Sequence, residues 1–232
     1  MEHWQNFSPL HLATVLCFAI AWGLLCLRGR ALRGTLAEPP WRASLALVVL
    51  CCWLFANGVQ LLPGRFDAAV VLPVQVCDIA GLVAALAIWR PGGLPGAILH
   101  FWGLGFSVQA ILTPELLHGP AHVDFWTFWL PHANLSGAAC YALVVERYRP
   151  RWADARAAFC CALAYLGLML PFDLLTGFNY GYVGPAKPGN PSLIDFLGPW
   201  PWRVGVMVLL TAAVFALLAL PSARAQKPRS VA

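Results

Sequence analysis

The chain has 232 residues, of which 60% are hydrophobic and 11% charged, and its mean hydropathy is +0.69. That balance excludes a soluble globular domain and describes a polytopic membrane protein. The formal net charge of +5 is no nucleic-acid signature, because the basic residues lie in short loops beside apolar runs and no loop is long enough to build a soluble basic surface.

Continuous apolar runs of about 17 to 21 residues, the length that crosses roughly 30 Å of hydrocarbon at 1.5 Å per residue, predict an all-α fold with seven transmembrane helices. They fall at approximately 9–27, 43–62, 71–89, 96–112, 125–145, 157–175 and 202–220. Their apolar residues do not alternate, which favours helices over a barrel. The first run follows Glu2 and precedes Arg28 and Arg30 with no small-residue cleavage site, so it is expected to be retained. One seven-helix domain is expected over 1–221, with an outer loop at 176–201 and a disordered cytoplasmic tail at 222–232.

Basic residues set the expected orientation. Arg28, Arg30, Arg33, Arg42, Arg90, Arg147, Arg149, Arg151, Arg156, Arg224, Lys227 and Arg229 fall on one side, leaving Arg65, Lys187 and Arg203 on the other. The amino terminus is therefore predicted outside and the carboxyl terminus in the cytoplasm.

With that topology, polar side chains gather in the outer half of the bundle. His11, Gln75, Cys77, Asp78, His132, Asn134, Ser136 and Arg203 lie near the outer ends of the odd-numbered spans. Asn57, Gln60, Gln109, Asp173 and Thr176 lie near those of the even-numbered spans. Intramembrane polar groups are costly and usually functional. Cys77 is about 8 to 9 Å below the outer start of its span and His132 about 10 Å below its own, so thiol and imidazole are level within one turn. Ser136 shares a face with His132 and is a candidate to orient the ring or a bound polar group. The other cysteines read as small buried hydrophobes.

His118, His122, Glu115 and Asp124 cluster in the loop after the fourth span, but Gly119-Pro120 prevents a regular helix between the histidines. No glycine-rich phosphate loop, G-x-S-x-G or H-E-x-x-H motif occurs, and the seventh span has no lysine for a retinal Schiff base. No metal or cofactor is expected, and the expected partners are membrane lipids.

Leu-Pro-Val-Gln-Val-Cys-Asp (72–78), Leu-Thr-Pro-Glu-Leu (112–116), the His132 helix, Gly-Phe-Asn-Tyr (177–180), Lys187-Pro188 and Leu-Gly-Pro-Trp-Pro-Trp (197–202) together resemble the YwaF-like integral membrane proteins of bacteria. The resemblance spans roughly residues 11–202. It implies a bacterial inner-membrane location and, through eukaryotic relatives that remodel ether phospholipids with a Cys/His pair, an acyltransferase or lipid hydrolase. Cys77 then matches the nucleophile and His132 the base. His11, Asn179 and Lys187 match recurrent positions without assigned roles, and Gln75 stands where many relatives carry a histidine.

The expected chemistry is acyl transfer or ester hydrolysis, with the thiol activated by His132 or Arg203. Gln109, Asn134 and Asn179 are candidate donors to the oxyanion, and Gln75, Asp78, Asp173, His11 and Lys187 are candidate substrate-binding groups. The alternative is a small-molecule transporter or ligand-sensing membrane protein whose Cys/His pair is structural.

Overall fold

The computed structural model describes residues 4–185 and 193–225. The described residues form eight α-helices: α1 (Pro9–Leu32), α2 (Glu38–Gln60), α3 (Val76–Trp89), α4 (Gly93–Gly105), α5 (Ser107–Leu112), α6 (Val123–Val144), α7 (Trp152–Thr176) and α8 (Trp202–Ala225). There is no strand among them. Helices α1, α2, α7, α8 and the α4–α5 pair taken together are long and apolar enough to cross a membrane. Helix α6 has the length, at 22 residues, but carries Asp124, His132, Asn134 and Ser136. The last seven residues of the expected tail, and Lys187 with its neighbours, lie outside the described residues.

Two elements depart from the sequence expectation. Helix α3 begins at Val76 instead of 71, because Pro73 holds the residue before it away from helix and Gln75 is extended, with φ −60° and ψ 149°. Its 14 residues span only about 21 Å. The fourth span is broken at Phe106 into α4 and α5. Gly103 and Gly105 weaken the ladder before the break, and hydroxyls from two neighbouring positions hold it. Ser136 Oγ donates to Gly103 O at 3.2 Å and lies 3.1 Å from Ser107 Oγ, which is itself 3.1 Å from His132 O.

Helices α2, α3, α4 and α6 pack against one another at the centre, where α3 presents the buried small residues Ala80, Gly81, Ala84 and Ala87. Small residues let helix axes approach. A Cβ at Gly81 would come within 2.9 Å of the Trp53 ring, whose indole N–H donates to Asp78 O at 2.9 Å. Trp102 Nε1 donates to Ala158 O at 3.1 Å and fastens α4 to α7. Helix α1 is peripheral. Its Leu16, Ile20, Leu24 and Leu27 are exposed, as suits a lipid-facing side, while Trp22 lies against Gly137 of α6.

At the opposite end of α3, Arg42 donates from Nε to Ile88 O at 3.0 Å and from Nη2 to Trp89 O at 2.6 Å. A cation on terminal carbonyls completes a helix C-terminus favourably. Beside it, just past α6, burial pushes the Glu146 carboxyl up to about 7 against the opposing charge of Arg42, with Glu38 adding to the rise and Arg33 opposing it. The folded protein thus holds this proton more tightly than the unfolded chain, and stability falls as pH rises from the ordinary carboxylate range toward 7. Glu146→Gln should remove that decline: in thermal unfolding of the detergent-solubilised chain, the variant gains on wild type between pH 5 and 8. Parallel pH profiles for the two proteins would show that Glu146 is not the group responsible.

Candidate functional site

Because α3 starts late, the segment before it is irregular backbone that needs hydrogen-bond partners away from water. The loop after α7 supplies them. Tyr180, fully buried, donates through its hydroxyl to Ala68 O at 2.7 Å and accepts from Leu72 N at 3.1 Å. Tyr165 of α7 donates to Val74 O at 2.9 Å, and Gly181 N donates to Gln75 Oε1 at 2.8 Å. Gly181 has φ 65°, and a Cβ there would strike the Tyr165 hydroxyl, so only glycine fits this close approach.

The loop is pinned from its other side too. The buried carboxylate of Asp173 accepts from Tyr180 N at 3.0 Å, Trp200 Nε1 donates to Val183 O at 3.1 Å, and Arg203 donates to Gly184 O. In the same loop Tyr182 donates to Glu115; burial first, and then that carboxylate, push its phenol well above the usual range, so it keeps its proton. The described residues of this stretch form a cap containing two 3₁₀ turns, Tyr180–Tyr182 and Leu193–Leu197.

Beneath the cap is a cavity of about 430 Å³. Gln75, Cys77 and Asp78 line it from α3 and the residue before it, and Gln109, Thr113 and Glu115 from α5 and the chain that follows. His132 enters from α6, Tyr165 from α7 and Tyr182 from the cap. The remaining wall is apolar except for Thr211, and about half of it belongs to α7 and α8, through residues such as Phe159, Leu163, Leu166, Met207 and Val208. The cavity therefore has a polar end at the start of α3 and a hydrocarbon-like side.

Cys77 is the second residue of α3. The backbone N–H groups of Asp78 and Ile79 turn back to Gln75 O, whereas those of Val76 and Cys77 are first-turn donors without an intrahelical acceptor. His132 follows Pro131, which removes one ladder bond from α6. Its Nδ1 is 2.7 Å from Phe128 O, and its ring stacks on Phe128 at 4.3 Å between centroids. A carbonyl accepts only from N–H, so Nδ1 carries the proton and Nε2 presents a lone pair. Among the described residues no hydrogen bond joins Cys77 to His132.

Of the residues singled out from sequence, Gln75, Cys77, Asp78, Gln109 and His132 share this cavity. Asp78 is turned partly toward α2, where Asn57 Nδ2 is 3.5 Å from its carboxylate. His11 stands elsewhere. Its Nδ1 accepts from Phe7 N at 2.8 Å and its Nε2 donates to Ile111 O at 2.9 Å, amid the rings of Trp4, Phe7 and Trp129. Asn134 faces Cys52 of α2, Asp173 holds the cap, and neither they nor Asn179 line the cavity. Ser136 serves the α4–α5 break and leaves the imidazole to Phe128. Arg203 is committed to the cap and is absent from the cavity wall. In the loop after the fourth span, Asp124 pairs with Arg65 and His122, and no three metal-ligating side chains gather among the described residues.

Tyr165, Tyr182, Thr113 and Glu115 are site residues that the sequence reading did not place there. Tyr165 carried one signal: a phenol deep within an apolar helix needs a hydrogen-bond partner.

Residues 2–219 match the family model described as the TMEM164 family. The chain belongs to the TMEM164 family. No curated protein and no solved structure matches it significantly. It is accordingly a membrane protein with several apolar helices, and in this TMEM164-family chain the cap and the α3 lead-in form one hydrogen-bonded unit. Tyr180→Phe deletes the shared hydroxyl and leaves Leu72 N–H and Ala68 O without it, at a cost of about 1–3 kcal/mol per unsatisfied group. Amide hydrogen exchange over 68–76 and 177–184 should accelerate together, while α2 stays protected; acceleration confined to 177–184 would show that the cap does not hold the lead-in.

Proposed function

We propose that this protein is a lipid acyltransferase or acyl-ester hydrolase that uses Cys77 as nucleophile and His132 as base. It would work in the outer half of a seven-span bundle whose amino terminus is outside and whose carboxyl terminus is cytoplasmic. The resemblance to YwaF-like proteins favours a bacterial inner membrane. One observation carries the reading: the thiol at the start of α3 and an imidazole whose Nε2 is left as acceptor line one cavity with an apolar side wall.

Each step has a group to perform it. His132 Nε2 takes the thiol proton, and the sulfur attacks the ester carbonyl carbon. The carbonyl oxygen becomes an oxyanion, for which the N–H groups of Val76 and Cys77 and the positive end of the α3 dipole offer stabilisation, with Gln109 as a side-chain donor. The C–O ester bond then breaks, the alcohol leaves with the proton from the imidazolium, and the acyl group remains as a thioester on Cys77. A water or a second lipid hydroxyl, deprotonated by His132, attacks the thioester and releases the thiol. The apolar wall on α7 and α8 suits the acyl chain. The packed core of Ala84, Ile88, Leu99, Phe101 and Leu135, with His100 as its one buried polar neighbour on α4, disfavours a route for a transported solute.

The test is acyl labelling of the full chain in membranes with a clickable lipid ester. Wild type should acquire a hydroxylamine-sensitive adduct on Cys77, Cys77→Ala none, and His132→Gln should form it about 10²- to 10⁴-fold more slowly, the usual worth of a general base. Labelling that persists in a folded Cys77→Ala variant would refute the proposal.

A further inference from the structure

A second recess of about 620 Å³ lies on the other side of α6, between it and α1. Phe18, Ala19 and Gly23 form one wall, and Ala133, Gly137 and Cys140 the other. The polar exceptions are Ser136, midway, and Arg30 at one end. A recess this apolar excludes water. From Val15 to Arg30 it runs about 22 Å along α1. A volume of 620 Å³ drawn out over that length is a slot much narrower than a helix, which is 10–12 Å across with its side chains. Its dimensions suit a single hydrocarbon chain better than a helix of a second copy of this chain.

Arg30 supplies the head of the site. It is exposed and makes no hydrogen bond or ion pair with any described residue, and Arg28 and Arg33 flank it in sequence. A guanidinium at the mouth of an acyl-sized slot is complementary to a phosphate.

We propose that the α1–α6 groove binds one anionic glycerophospholipid, with an acyl chain along Ala19 and Gly23, past the Trp22 ring that covers Gly137, and the headgroup phosphate on Arg30. The bound chain lies against the same helix that carries His132. Helix α6 turns Phe128 and His132 to the first cavity and Ala133 and Gly137 to the groove. Ser136, which borders the groove, reaches the backbone of His132 through Ser107. The lipid therefore braces the wall that positions the imidazole. The site stands independently of the reaction proposed above, and its test reads binding alone.

The experiment is native mass spectrometry of the delipidated full chain in detergent, titrated with phosphatidylglycerol, phosphatidylcholine of the same chains, or oleate. Wild type should retain one phosphatidylglycerol about fivefold more tightly than phosphatidylcholine, the worth of one basic residue against an anionic headgroup. Arg30→Gln should abolish the preference. Gly23→Leu should weaken retention of both phospholipids, and because a Cβ at Gly23 meets nothing within 4 Å, its side chain enters the groove without displacing the protein; an unchanged circular dichroism spectrum checks this. The proposal is overturned by equal retention of the two phospholipids in wild type, by retention unaffected in folded Gly23→Leu, by preferential retention of oleate, or by a change in oligomeric mass in place of lipid mass.

Discussion

Backbone that leaves the helix inside hydrocarbon must find hydrogen-bond partners within the protein, and the architecture follows from how this chain meets that demand at residues 61–75. Helix α3, with 14 residues, is too short to cross the hydrocarbon by itself, and its lead-in runs as turns and extended chain. Tyr180 takes up Ala68 O and Leu72 N–H and Tyr165 takes up Val74 O, while the Gln75 side chain accepts from Gly181 N and ties the two stretches together. Those partners come from the α7 helix and the loop after it, so covering the lead-in also roofs the space beneath. The cavity is a consequence of this pairing.

The same demand is met differently at the break between α4 and α5. There Ser107 and Ser136 take up the carbonyls of His132 and Gly103, and the break lets Gln109 and Thr113 turn toward the cavity from α5 and its end. Two interrupted helices thus bracket the thiol and the imidazole. Each interruption is stabilised by at least one hydroxyl from a helix or loop distant in sequence, Tyr180 and Tyr165 at the first and Ser136 at the second.

That distance explains what could be read in advance. Cys77 and His132 stand out in the sequence, because a thiol beside a carboxylate and a histidine after a proline interrupt apolar runs, and the two line one cavity. Long hydrophobic runs likewise gave the helical class and most helix positions. The face on which a group points was not legible. His11 lies at the right depth but spends both ring nitrogens on Phe7 and on Ile111, a residue 100 positions away. Asp173 was read as a site carboxylate and instead anchors Tyr180. The pairing of Tyr182 with Glu115 has no signature in the sequence, because tyrosine is common where membranes meet water and the two residues lie in loops with no shared pattern. Gln75, read as a departure from the histidine of YwaF-like proteins, has a structural use here as the acceptor that ties the cap to the start of α3.

Cys77 and His132 line one cavity, while Asn134, two residues on, faces α2. Short-span thiol cross-linking measures this directly. In chains retaining Cys77 as the sole native cysteine, a cysteine at position 132 should be bridged to Cys77 by a short bismaleimide, and a cysteine at position 134 should not. Equal bridging from both positions, or bridging from 134 alone, would contradict the arrangement.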